Sequence, residues 1–199
     1  MTPRVFLLGG QGKVAQALTS LLLQRFWTIA TVIRSKTQQS GILRLGQHQE
    51  SSNRLYKTWR KSQAMQMHRA GGKGGPERAI AIDRNSAKQF IFASVATSYV
   101  LKLLMISWLG CRRRRPSWWA EKEWDDMQTV NGTELGIRLR STMPFQAISL
   151  RPGWISDDKA PEEIAIGHTR TTGTVTREDT ARVAMKLLVR PDTHAGLIH

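Results

Sequence analysis

The chain is poor in residues that would tie it to several common functions. It has one cysteine in 199 residues, Cys111, so no intrachain disulfide can form and a multi-cysteine zinc site is excluded. No histidine lies near Cys111 in sequence, and a small buried hydrophobe is the ordinary role of such a thiol. Tyrosine is almost as scarce, with only Tyr56 and Tyr99. Acid is short too: 15 Asp+Glu stand against 30 Lys+Arg, a formal charge of +15. That excess concentrates anions of any kind, whether nucleotide, nucleic acid or acidic lipid, without selecting among them. Long apolar runs are also lacking. The run from Val5 to Leu8 is too short for a signal peptide, and the run from Val100 to Gly110 is interrupted by Lys102. A soluble, cytoplasmic protein with no membrane partner is expected. His48, His68, His168, His194 and His199 are scattered without metal-ligand spacing, and Asp125-Asp126 and Asp157-Asp158 read as turn or helix-end pairs, so no metal is expected.

What is present fits one globular domain over 1–199, since 40% hydrophobic residues suffice for a core. Residues 4 to 34 read as a β-α-β unit. Arg4 to Leu8 is an apolar run suited to a strand buried on both faces. Val14, Leu18, Leu21 and Leu22 then recur at helical spacing, and residues 28 to 33 (TIATVI) form a second β-branched strand. Residues 47 to 70 break the pattern: Gln, Ser and Lys/Arg dominate, and no three apolar residues adjoin. Neither a buried strand nor an amphipathic helix can be read there, so the segment is taken as a disordered insert. A glycine-rich loop at 71–76 leads into a helix over 77–97 that turns Ile80, Ala87, Phe90, Ile91 and Val95 toward a core. A third strand spans 100–109, a Trp-bearing helix 117–130 and a fourth strand 145–150. A polar stretch then runs to about residue 174. The last helix covers 177–189, capped by Thr176 with Asp179 three residues on.

The segment VFLLGGQGKVA carries the chemistry. Gly9, Gly12 and Ala15 give G-x-x-G-x-x-A directly after a strand and directly before a helix. Gly9 lets the chain turn off the strand, Gly12 lets backbone approach a pyrophosphate, and Ala15 permits close helix–strand packing. The helix start offers free N–H groups and a positive dipole end to phosphates. Gly10, Gln11, Lys13 and Val14 complete the loop, Lys13 as a nearby cation. Arg34 follows the second strand, where an acid would hold the ribose hydroxyls of NAD; a guanidinium suits a 2′-phosphate instead. NADP is therefore favoured over NAD.

These blocks, with GGKGGPERAIAIDRNSAKQFIFASVA, LLMISWLGCRRRRPSWW and FQAISLRPG, resemble fungal NAD(P)-binding proteins of the atypical short-chain dehydrogenase/reductase group, which are NmrA-like Rossmann proteins. The resemblance implies a Rossmann-like, doubly wound α/β fold with a parallel sheet, and an oxidoreductase or redox-sensing role. It puts Gly9, Gly12 and Lys13 on the phosphate loop, Arg34 at the ribose phosphate, Ser107 at the position of a catalytic serine, and Arg151, Pro152 and Gly153 in a turn beside the nicotinamide. Two departures qualify it. The 47–70 segment occupies the place of expected strands, so one or two strands are read as missing. The Tyr-x-x-x-Lys expected between Trp119 and Phe145 is absent, leaving Ser107 without a proton-donating partner. Segments lost or read in a shifted frame would account for both.

A different class of function also has support. Arg112 to Arg115 beside Trp108, Trp118, Trp119 and Trp124 could track phosphates and stack bases, making the chain a basic-surface binding module with a vestigial nucleotide site. No nucleic-acid-binding motif accompanies the run, and a solvated basic loop with packed tryptophans is the expectation. Ser107 stands outside any G-x-S-x-G, so a hydrolase elbow is not indicated.

Overall fold

The computed structural model describes residues 3–32, 39–46, 48–50, 87–96, 100–112, 114–130, 146–160, 163–168, 173–191 and 196–198. The opening unit forms as its pattern dictates. Strand β1 (Arg4–Leu8) pairs in parallel with β2 (Thr28–Val32), joined by helix α1 (Lys13–Leu23). Helix α1 buries Val14, Ala15, Leu18, Thr19 and Leu22, the i, i+4 stripe of a one-sided helix. Its single buried polar member is satisfied locally, Thr19 Oγ1 donating to Ala15 O at 2.8 Å.

The expectation of no strand in 47–70 fails at its start. After a short helix α2 (Gln39–Arg44), residues His48–Glu50 form β3, parallel to β2. Three polar residues carry no hydrophobic signal, but a sheet edge needs only backbone N–H and C=O groups in register. Residues 51–70, and the glycine-rich loop at 71–76, lie outside the described residues.

Helix α3 (Ala87–Val95) buries Ala87, Ile91 and Ser94, with Phe90 packed against the core. Val95, expected inward, is exposed: the face set by residues 87, 91 and 94 turns the next position outward. Strand β4 (Lys102–Ile106) is buried throughout. It pairs in parallel with β5 (Gln146–Leu150), and β5 with β8 (Gly196–Ile198). Helix α4 (Glu121–Val130) starts four residues later than the expected 117. Two further short strands lie in the stretch read as merely polar: β6 (Trp154–Ser156) pairs in parallel with β7 (Thr174–Thr176). Helix α5 (Arg177–Val189) closes the series, with Thr176 as its cap as expected.

Among the described residues the strands form two three-stranded parallel sheets, ordered β1-β2-β3 and β4-β5-β8, besides the β6-β7 pair. Their side chains alternate between two faces. Val5, Leu7, Leu104, Ile106, Ile148 and Leu150 join α1 and α5 in one cluster. Phe6, Leu103, Met105 and Ala147 join α3 in another. Helices on both faces of parallel strands define a doubly wound α/β fold. In that fold a further strand runs beside β1; among the described residues the sheet divides there, as the reading of missing strands implies.

Lys102 interrupts an apolar run, yet it is buried in β4. Its Nζ donates to Leu187 O and Arg190 O at the end of α5. A buried ammonium is tolerated because it meets backbone carbonyls at the carboxyl end of a helix, the negative end of the dipole.

Candidate functional site

The three parts of the expected nucleotide site that lie in the described residues follow the carboxyl ends of parallel strands: the 9–12 loop after β1, Ser107 after β4 and Arg151-Pro152-Gly153 after β5. That edge is where open α/β sheets bind ligands.

The loop after β1 is built from backbone. Gly9 has a φ of 81°, a conformation glycine adopts without a Cβ penalty. Its carbonyl accepts from Gly12 N at 2.8 Å, and the first helical hydrogen bond runs from Gln16 N to Gly12 O at 2.9 Å. The amides of Lys13, Val14 and Ala15 thus precede the helical ladder. No side chain caps the helix at Gly12, and the first turn of α1 contains no acid. A Cβ on Gly12 would lie 3.3 Å from Gly9 O, tight against the turn. Gln16 Nε2 donates to Gln11 O at 2.9 Å and fixes the loop from the helix side, while the Gln11 side chain lies near Gly41 of α2.

Lys13 turns toward an acid that the sequence did not single out for this site. Its Nζ donates to Asp157 Oδ2 at 2.6 Å, and Arg177 Nη1 meets Asp157 Oδ1 at 2.6 Å. The hydrogen bond from Lys13, with the charges of Arg177 and Lys13, holds the Asp157 carboxyl below its ordinary value. Local spacing could not reveal this, since 144 residues separate Lys13 from Asp157.

Ser107 N donates to Leu150 O at 2.8 Å, so the ends of β4 and β5 are tied together at the serine. Arg151 and Pro152 are buried. Gly153 has a structural duty of its own: a Cβ there would lie 2.5 Å from Gly173 O, so only glycine lets the turn pass Gly173. Trp108 and Trp154 meet edge-on at 4.9 Å, and Trp118 stacks on His168 at 4.0 Å. The basic run is partly folded into this aromatic group. Arg112 lies over Trp118 at 5.5 Å and Trp119 at 5.1 Å, and Arg115 Nη1 donates to Trp119 O. Burial, helped by the charge of Arg151, pushes the Arg112 guanidinium down to about 10. Trp119, Leu109 and Met127 form a small core beneath. Arg34 lies outside the described residues, as do Tyr56 and Tyr99. Among the described residues no helix is long and apolar enough to cross a membrane, and no cluster of His, Cys, Asp or Glu could hold a metal ion.

Fold and loop together define the class: a Rossmann-like nucleotide-binding domain. Comparison with known proteins is more specific. The NAD(P)H-binding family profile matches residues 9–191, and the chain belongs to that family. Its fold is similar to that of an NAD-dependent epimerase/dehydratase-like protein from Bacillus halodurans, with TM-score 0.78 and 18% identity over 98% of this chain and 92% of that one. It is also similar to ChuY, an anaerobilin reductase from Escherichia coli, with TM-score 0.71 and 19% identity over 98% and 95%. A third similar structure is Gre2 from Candida albicans in complex with NADPH, with TM-score 0.68 and 12% identity over 98% and 77%. No curated protein matches the sequence.

Proposed function

We propose that the chain is a single NAD(P)-binding domain that takes NADP(H) in preference to NAD(H), and that it acts as a weak oxidoreductase or as a sensor of redox state. The observation that carries this is the head of α1: a glycine cap, no acid in the first turn and amides ahead of the helical ladder, at the carboxyl end of β1. Those residues fit a diphosphate, because a side chain at Gly12 would crowd the turn it must approach. Gly9, Gly10, Gln11, Gly12, Lys13 and Val14 would hold the diphosphate. Arg34 would pair with the 2′-phosphate, and Arg151, Pro152 and Gly153 would border the nicotinamide. NADPH in the Candida albicans Gre2 complex is compatible with this choice.

The bound nucleotide would supply a hydride; the chain's own residues bind and orient it. Ser107, which follows β4, would donate a hydrogen bond to a substrate oxygen near that turn. With no Tyr-x-x-x-Lys in the sequence, no activated phenol delivers the accompanying proton, and slow turnover follows. The alternative, a basic-surface binding module with a vestigial nucleotide site, is the second reading; of its arginines, Arg112 and Arg115 are engaged with Trp118 and Trp119.

Titration of the full chain with NADPH, followed by tryptophan quenching, tests the proposal. Micromolar-range binding is expected, with NADH weaker. Arg34→Glu should weaken NADPH by roughly ten- to a hundredfold, the effect of losing a charge-assisted contact worth about 1.5–3 kcal/mol, and leave NADH much less affected. A flat NADPH titration, or equal losses for both nucleotides, defeats it.

A further inference from the structure

Asp157 bridges the heads of two helices. Lys13 is the first residue of α1 and Arg177 the first of α5. Each grips a different oxygen of the same carboxylate, both at 2.6 Å. The fold therefore already stabilises an anion, using the ammonium that opens the nucleotide-binding helix. The Lys13 and Asp157 side chains are 66% and 58% exposed, so an incoming solute can reach both.

The geometry points to Asp157 as an internal competitor of the dinucleotide diphosphate for Lys13, an inference that rests on the nucleotide reading above. Without nucleotide, Lys13 is committed to the carboxylate. When a diphosphate arrives at α1, Lys13 exchanges one anion for the other, which its flexible stem and rotatable donors permit. Asp157 keeps Arg177 on its other oxygen, so the exchange leaves no orphaned carboxylate beside the phosphates. Affinity is then set by the difference between two anions, and Asp157 lowers it. Arg177 acts as a positioning residue that draws the competitor away.

NADPH titrations of the full chain test this. Asp157→Asn is expected to bind NADPH about two- to fivefold more tightly than wild type, the scale of an exposed ion pair, and the gain should shrink as salt screens the pair. In a Lys13→Gln background the same change should bring little gain. If wild type binds NADPH but Asp157→Asn binds no more tightly, or gains as much without Lys13, the competition is overturned while the nucleotide reading stands. A wild-type chain that ignores NADPH overturns both.

Discussion

Helices α1 and α5 pack against each other, yet their first turns are built on opposite plans. At α5 the fold answers its own need. Thr176 Oγ1 accepts from Asp179 N at 3.1 Å and donates to Asp179 Oδ2 at 2.8 Å, and both residues are buried. Glu178 and Asp179 place negative charge in the first turn, and Arg182 closes on Asp179. At α1 there is a glycine cap without a side-chain hydrogen bond and no acid in the first turn. A helix start is an anion site in either case. The chain fills that need internally at α5; at α1 no side chain caps the helix, Asp157 meets Lys13 from the side, and the proposed nucleotide would fill the rest.

The largest expected effect comes from making α1 resemble α5. Gly12 has φ −66° and ψ 141°, a backbone conformation open to any residue, and Asp is a preferred cap there, although its Cβ would press on Gly9 O at 3.3 Å. Gly12→Asp should therefore cap the helix with its own carboxylate, change unfolding stability by less than about 1 kcal/mol in either direction, and weaken NADPH by roughly a hundredfold or more, about 3 kcal/mol of binding. Urea unfolding and fluorescence titration on one preparation check both parts. Retained NADPH binding would show that the α1 amides are not the phosphate site.

The reverse change is smaller and falls on stability. Thr176→Ala removes an acceptor for Asp179 N and a donor to a buried carboxylate. A loss of about 1–2 kcal/mol in urea unfolding is expected, with NADPH affinity kept. Weakened NADPH binding without lost stability would mean that the two helix heads are not separate in function.

Much of this contrast was legible in the sequence. The G-x-x-G-x-x-A turn and the Thr176–Asp179 spacing are local patterns, and each maps onto local hydrogen bonding. The apolar strands β1, β2, β4 and β5 were legible because burial on both faces demands continuous hydrophobicity. The short strands β3, β6, β7 and β8, each of three residues, were not, since they are held by backbone pairing and carry little side-chain signal. Lys102 broke an apolar run, and the carbonyls at the end of α5 that receive it are distant in sequence. Asp157 was read as a turn acid because its partners are distant in sequence. Gly153 was assigned to a ligand from the R-P-G pattern alone, while the close passage of Gly173 shows a duty that no local pattern encodes.

The smallest expected effect concerns the link between the two heads. The Asp157 carboxyl is held below its ordinary value, first by the hydrogen bond from Lys13 and then by the charges of Arg177 and Lys13. A carboxylate whose folded value is depressed stabilises the fold at pH above its unfolded value, about 3.9, and that contribution is lost as pH falls through the folded value. Asn at this position does not titrate. The melting temperatures of wild type and Asp157→Asn should therefore differ slightly near neutrality, with wild type higher, and converge in acid below the usual carboxylate range. Thermal unfolding of both chains across that range at low salt is the measurement. A gap that stays constant into acid would mean that Asp157 contributes packing rather than charge, and that the heads of α1 and α5 are not joined through it.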